Sequence, residues 1–121
     1  MADTRKLEGV TYRYNFVTDK RDKARNSFSM RSKVKRFPGM EAWHFAEVPV
    51  KTSAQIKKIF GHMARGWGSL RVQAVIGDTS WKSSIFPDKK SKTYVLPLKI
   101  AVRKAEGITS GKTIALKLEV L

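Results

Sequence analysis

The stretch YVLPLKIAVRKAEGITSGKTIALKLEVL (Tyr94–Leu121) decides the fold, because its hydrophobic period changes once along its length. Its first part carries apolar residues at positions i, i+3, i+4 and i+7, which is the spacing of one face of a helix. Pro97 precedes this face, where a missing backbone N–H costs least. Gly107 follows it and suits a left-handed C-terminal cap. The predicted two-turn helix therefore has its apolar face formed by Leu98, Ala101, Val102 and Ala105.

Beyond Gly111 the hydrophobic period becomes two, and apolar residues alternate with polar or small ones up to the last residues of the chain. This alternation is typical of a strand with one buried face. We therefore predict a final strand whose inward residues are Ile114, Leu116, Leu118 and Val120.

Length and composition indicate one folded domain. The chain has 121 residues, a hydrophobic fraction of 41% and three tryptophans, which together favour a modest single core over disorder. It has no cysteine, which excludes disulfides and thiolate metal sites. Its apolar runs are far shorter than a membrane span, and its first residues have no apolar signal region. A cytoplasmic protein is the expectation.

The net charge of +15 is the largest departure from average composition. Residues 1–36 carry 11 Lys/Arg and 4 Asp/Glu, whereas residues 37–121 carry 14 and 6. Because the excess extends beyond the N-terminal part, it favours an anionic partner such as nucleic acid. The alternative, that the lysines serve only to keep the protein in solution, stays open.

Residues 1–26 are polar and rich in charge, and we interpret them as a mobile N-terminal arm. Residues 27–121 contain the remaining predicted elements and form a single β-barrel domain. A helix with Thr52 or Ser53 as its N-cap is predicted after Pro49, with an apolar face of Ile56, Ile59, Phe60 and Met63. Further strands are predicted at Ser27–Lys35, Trp43–Val48, Leu70–Ile76 and Trp81–Phe86.

Two halves of the chain follow the same plan. Val48-Pro49-Val50-Lys51 and Leu96-Pro97-Leu98-Lys99 each precede a helix, a glycine turn and an alternating strand, and the two prolines are 48 residues apart. Two similar halves in a small, mainly β chain predict a barrel with pseudo-two-fold symmetry, in which each pseudo-repeat has one short helix.

The segment Pro97-x5-Arg103-x3-Gly107-Ile108-x2-Gly111 resembles the half-barrel of swapped-hairpin regulators and antitoxins of the AbrB/MazE type, in which two chains dimerise and bind DNA. A longer set of motifs is similar to the family of domain of unknown function 1905. That set comprises Trp43-His44-Phe45, Pro49, Gly66-Trp67-Gly68, Val72, Trp81–Pro87, Tyr94-x-Leu96-Pro97 and Val102-Arg103-Lys104. The resemblance implies a double-split β-barrel in which one chain supplies both halves, and no established activity. A monomer is expected.

Aromatic residues interleave with cations in the second half of the chain, a combination by which single-stranded nucleic acid is commonly held. The alternative is that the aromatic residues belong to the core and the cations to a solvated face. Trp81 lies in mid-strand and is expected in the core, whereas Trp67 stands between two glycines in a loop and is expected at the surface. Arg103 could instead pack its stem and hydrogen-bond carbonyl groups or Glu106. The candidate residues for binding an anion or another ligand are Arg65, Trp67, Arg71, Lys82, Arg103 and Lys104.

The sequence offers little evidence for a catalytic site. The segment Gly107–Thr113 has three residues between its glycines and leads into a strand, whereas a phosphate-binding loop needs four and a following helix. His44 and His62 lack the companions that a metal site requires, and no serine lies in a nucleophile elbow. We expect no catalytic residue, cofactor or metal.

The sequence therefore predicts a non-catalytic binding module with a basic surface for nucleic acid or another polyanion. The alternative is a small-molecule-binding or protein-interaction barrel without nucleic-acid contact. In that alternative, the residues that line the pocket are Trp67, Trp81, Tyr94 and Arg103.

Overall fold

The computed structural model describes residues 26–37 and 39–121, with residues 40–42 described by their backbone alone. Apart from Asn26, the predicted N-terminal arm lies outside these residues. The strands are β1 (Ser27–Phe37), β2 (Met40–Glu47), β3 (Leu70–Ile76), β4 (Thr79–Asp88), β5 (Thr93–Leu98) and β6 (Thr113–Val120). The helices are α1 (Val50–Phe60) and α2 (Ile100–Glu106), and two short 3₁₀ turns cover Gly61–Met63 and Gly66–Gly68.

The six strands close into an antiparallel barrel in the order β1-β2-β5-β4-β3-β6. Exchanging β1 with β4, β2 with β5 and β3 with β6 leaves this ring of neighbours unchanged. Such invariance is expected when a unit of two strands, a helix and a strand occurs twice. The predicted mainly β barrel of two repeats, each with one short helix, is confirmed.

The core follows the predicted alternation. In β6 every second residue is buried, and in β3 the buried residues alternate with exposed or half-buried ones. Each fully buried Val, Leu or Ile side chain contributes about 1.5–3 kcal/mol through the area that it removes from water. The largest side chains that are completely enclosed are Ile56, Ile85, Leu96, Leu116, Leu118, Val34, Val48 and Val72.

Helix α1 closes one end of the barrel, where β2 finishes and β5 starts. The Val48 N–H donates to the Tyr94 carbonyl at 2.9 Å. The N-cap is Pro49 rather than Thr52 or Ser53, so that prediction is wrong. Ser53 lies one turn inside the helix and is buried, where its hydroxyl donates to the Val48 carbonyl at 3.2 Å and accepts the Tyr94 N–H at 2.9 Å. Its hydrogen bonds therefore join helix, β2 and β5.

Helix α2 lies at the opposite end, beside the turn between β3 and β4. Gly107 ends it in the left-handed conformation (φ 63°, ψ 40°), as predicted, and the Ile108 N–H donates to the Arg103 carbonyl at 2.9 Å. The Thr79 hydroxyl donates to the Glu106 carboxylate at 2.5 Å, which joins the helix to the start of β4.

Both helices bury less of their predicted apolar faces than expected. In α1, Ile56 is buried and Phe60 half-buried, but Ile59 and Met63 are exposed. The predicted apolar face of α2 is buried even less than that of α1. Of its predicted residues, Val102 is buried within the helix, Leu98 is buried as the last residue of β5, and Ala101 and Ala105 are exposed. The residues that are buried within the helices are Ser53 and Ile56 in α1 and Val102 in α2.

Candidate nucleic-acid interface

A row of cations crosses the outer face of four neighbouring strands. Arg71 on β3 pairs with Ser84 on β4 and donates to its hydroxyl at 3.4 Å, and Lys82 pairs with Gln73. Arg71 and Lys82 are therefore diagonal neighbours on one face, which places them about 7–8 Å apart at the backbone. We call this row, continued over β6 and β1, the basic arc; its members are Lys82, Arg71, Lys117, Arg31 and Lys33.

The strand registers show how the arc continues. Lys117 on β6 lies between Val75 of β3 and Ser29 of β1, and Arg31 on β1 lies opposite Ala115. The arc cations are exposed, and none forms an ion pair with another described residue. The outward residue next to Lys117 on β6 is Glu119, which is exposed, pairs with Gln73 and lies between Lys117 and the Arg71–Lys82 pair. Because five cations outnumber this one carboxylate, the face has a net positive charge that favours phosphate groups.

A tryptophan projects from the loop that leads into β3. Trp67 has 92% of its side chain exposed and a left-handed backbone (φ 65°, ψ 15°). A non-glycine residue in this conformation is strained by about 1 kcal/mol or more. Both the strain and the exposure of a large apolar ring work against stability. Residues in such conformations concentrate at functional sites.

The backbone around Trp67 is held in place. The Arg65 N–H donates to the Ser69 carbonyl at 2.8 Å, and the Gly68 N–H donates to the Arg65 carbonyl at 2.9 Å. Gly68 also packs so closely on β4 that a Cβ added there would lie 2.9 Å from Pro87 Cγ. The loop is therefore braced against the barrel and presents the indole at the α1 end of the basic arc.

The structure divides the predicted ligand residues into two groups. Arg65, Trp67, Arg71 and Lys82 belong to β3, β4 and the loop before β3, on one side of the barrel. Arg103 and Lys104 lie on α2 at the other end.

Arg103 also has a visible structural role. It is half-buried, and its Nε donates to the Leu98 carbonyl at 3.3 Å. This bond agrees with the predicted packing role for Arg103 and separates it from the Trp67 side of the barrel.

The predicted aromatic pocket is not formed. Trp81 faces Ala74 inside the barrel and packs against the core, as its mid-strand position indicated. Tyr94 is 4% exposed, and burial raises the pKa of its phenol. Neither ring can stack on a ligand beside Trp67, and Arg103 lies at the far end of the barrel. The period-two pattern turns positions 81 and 94 inward, which is why this expectation is wrong.

Sequence reasoning missed a second group of aromatic rings, which lies on the outer face of the barrel. Phe37, Trp43 and Phe45 lie together on the outer face of β1 and β2. The Phe37 ring centroid is 4.6 Å from that of Phe45 and 6.4 Å from that of Trp43. Trp43 is 54% exposed. We call these three residues the aromatic patch.

The signal for the aromatic patch was available in the alternation of β2. That pattern placed Trp43 and Phe45 on one face and Ala46 and Val48 on the other. The small aliphatic face is the buried one, because Ala46 pairs with Val34 of β1 and Leu96 of β5 and packs with them in the core. The aromatic face is therefore directed outward.

An open groove of about 570 Å³ lies between α1 and the beginning of β1, away from the predicted pocket. Its walls combine two apolar side chains with several polar ones. The lining residues are Ser27, Phe28, Ser29, Thr52, Gln55, Lys58 and Ile59.

The histidines do not define a metal centre. His44 Nδ1 is buried and makes no hydrogen bond to another described residue, and His62 is exposed in a 3₁₀ turn. Within the described ranges, no three His, Cys, Asp or Glu residues cluster so that they could hold a metal ion. The same part of the chain contains no helix whose length and apolar character would let it span a membrane.

Comparison with known proteins gives a family without an assigned activity. Residues 31–118 match the family model described as "Domain of unknown function (DUF1905)". This match spans most of the chain, so the protein belongs to that family. A search of curated proteins finds no match.

Proposed function

We propose that this member of the DUF1905 family is a non-catalytic module that binds single-stranded nucleic acid through the basic arc and Trp67. The cations would contact phosphate groups while the indole stacks on an unpaired base, the combination that sequence-tolerant single-strand binders use. Arg65 lies in the same loop as Trp67 and extends the positive surface past the end of the arc.

The observation that carries the proposal is the strained and exposed Trp67 at the end of the basic arc, whose cations form no ion pair with another described residue. Fold stability gives no reason to hold a large ring in solvent on a left-handed backbone. A base-stacking role gives one, because the braced loop presents a rigid ring with only two side-chain torsions to order when a base stacks on it.

Charge sets the expected salt dependence. Each phosphate contact with a single strand lowers the logarithm of the binding constant by about 0.7 per decade of salt. If all five arc cations contact phosphate, the slope is about −3.5. Replacing two of them should reduce its magnitude by roughly 1.4.

The test uses the full chain and a fluorescent, unstructured oligonucleotide at several salt concentrations. The double variant Arg71→Glu, Lys82→Glu should bind much more weakly and with a flatter salt dependence. The matched control Lys51→Glu, Lys99→Glu changes the net charge equally, at exposed positions where the helices begin and acidic residues are favourable. Equal losses in both variants would show that net charge alone is responsible and would contradict the proposal.

The groove between α1 and β1 favours a second candidate function, the binding of a small molecule or a protein segment without nucleic acid. Phe28 and Ile59 provide apolar contact there, and Thr52 and Gln55 provide hydrogen-bonding groups. Ile59→Glu should abolish such binding and leave oligonucleotide affinity unchanged. Titration of a fragment library monitored by NMR would test this, and shifts confined to other surfaces would exclude it.

Further predictions accompany the proposal. We expect the protein to be cytoplasmic, monomeric, and without catalytic activity or cofactor. The likeness of the C-terminal half to AbrB/MazE-type units stays a prediction, and it supports nucleic-acid contact only by analogy. Analytical ultracentrifugation of the full chain tests the predicted monomeric state.

A further inference from the structure

The aromatic patch adjoins the basic arc. Lys33, the last arc cation, faces Thr113 of β6 on one side and Glu47 of β2 on the other. The next outward residue of β1 is Lys35, which lies opposite Phe45. Positive charge therefore leads along β1 directly to the three rings.

The acidic residue between Lys33 and the patch, Glu47, is already neutralised. The Lys35 Nζ lies 2.7 Å from Glu47 Oε1, and the hydrogen bond from Lys35 lowers the pKa of that carboxyl. The ion pair lies between the arc and the rings, so a polyanion that leaves the arc meets little repulsion there.

We propose that the aromatic patch is a second base-stacking platform, so that one single strand runs from Trp67 along the basic arc to Trp43. This inference rests on the proposed function and adds to it the length and the path of the ligand. Trp43 offers the exposed ring, Phe37 packs against it edge-on, and Phe45 packs against Phe37.

The charge leading to the patch favours nucleic acid over an apolar protein partner. Exposed aromatic groups without nearby charge are typical of protein interfaces. Here the rings lie at the end of a positive track, which attracts phosphate. The rings would then receive the bases.

The path sets a minimum ligand length. From β3 to β2, by way of β6 and β1, the strand spacing alone adds up to about 14 Å, and the projecting side chains lengthen the path. A very short oligonucleotide can occupy one platform but cannot reach both. An oligonucleotide of about twelve nucleotides can reach both platforms, and this length is within the usual range of single-strand sites.

The experiment measures the affinity of the full chain for homopolymeric single strands from about three to about sixteen nucleotides. Wild-type affinity should rise by a distinct step once both platforms are reached. Trp43→Ser should remove that step and weaken binding of the longest oligonucleotides by about five- to a hundredfold. Trp43→Phe keeps a stacking ring and should therefore retain most of the step in affinity. Trp67→Ser should weaken binding at every oligonucleotide length.

Inorganic polyphosphate serves as a polyanion without bases, and Trp43→Ser should leave its binding unchanged. If wild type binds neither polyphosphate nor oligonucleotides at low salt, the proposed function fails. If wild type binds both but Trp43→Ser keeps the length step, this inference alone is overturned. A wild-type dimer that Trp43→Ser converts to a monomer would also overturn it, because the patch would then join two copies of the chain.

Discussion

Replacing Trp67 with asparagine should stabilise the protein and weaken ligand binding at the same time. Asparagine tolerates the left-handed backbone better than most residues, so the change relieves a strain of about 1 kcal/mol at φ 65°. Opposite effects on stability and binding are expected where a residue is kept for function at the expense of the fold.

The contacts that this substitution loses are small. With 92% of Trp67 exposed, less than a tenth of a side chain of about 250 Å² is buried. At about 25 cal/mol per Å², the lost burial is worth about 0.5 kcal/mol. The expected net change is a gain of up to about 0.5 kcal/mol in unfolding free energy, whereas truncation of a buried tryptophan costs about 3–5 kcal/mol.

Urea unfolding of the full chain measures the stability term, and fluorescence anisotropy with a single-stranded oligonucleotide measures binding. Loss of one stacked base should weaken binding by about 1–3 kcal/mol. Lys92→Asn is the matched control, because Lys92 is exposed and is the other described non-glycine residue with a positive φ (59°). That variant should gain similar stability and keep the base-dependent part of the affinity.

A loss of more than about 1 kcal/mol of stability in Trp67→Asn would refute this reasoning, because Trp67 would then support the fold. Unchanged affinity in a well-folded variant would refute the stacking role. Equal weakening of binding by Lys92→Asn would show that the measurement reports loop geometry in general.

Three other substitutions test the physical account of the fold. Ser32→Ala should be neutral or stabilise by up to about 1 kcal/mol in urea unfolding, because the buried Ser32 Oγ makes no hydrogen bond to a described residue; a clear loss would mean that the hydroxyl has a partner. Gly77→Ala should destabilise by about 1–3 kcal/mol, because Gly77 has φ 57° and its added Cβ would collide with the Glu106 carboxylate; thermal unfolding measures this, and an unchanged midpoint would contradict it. Glu47→Gln should cost about 0.5–1 kcal/mol at pH 7. Since the hydrogen bond from Lys35 lowers the pKa of Glu47 below its ordinary value of 4.5, the stabilisation is complete above that pH and is lost as pH falls through the folded-state pKa. The two proteins should therefore converge in acid, and a difference that persists there would argue against the ion pair.

The local part of the fold was predictable from the sequence. Alternation in Ile114–Val120 and Leu70–Ile76 marked inward and outward faces, because a strand that lines a packed barrel must bury every second residue. Gly107 marked the end of α2, since a left-handed cap suits a residue without a Cβ. The repeated order of strands and helices then indicated a closed barrel.

The surface features that depend on the pairing of distant strands were not predictable from the sequence. The row formed by Arg71, Lys82, Lys117 and Arg31 exists only because β3, β6 and β1 become neighbours, and no local pattern specifies those registers. The outward direction of Trp43 and Phe45 likewise depends on strand pairing, which places Ala46 beside the buried Val34 and Leu96. The amphipathic spacing of α1 predicted that Ile59 is buried, but Ile59 is exposed, because the packing of the helix on distant strands decides how much of its apolar face is covered.

The central claim is that a single strand binds on the outer face of β3, β4, β6 and β1. The most direct measurement is an amide chemical-shift titration of the isotope-labelled full chain with an unstructured single-stranded oligonucleotide at low salt. The predicted result is that the largest shifts fall at residues 65–69 and at the outward positions around Arg71, Lys82, Lys117 and Arg31. Shifts confined to the groove between α1 and β1, or no shifts at all, would contradict the claim.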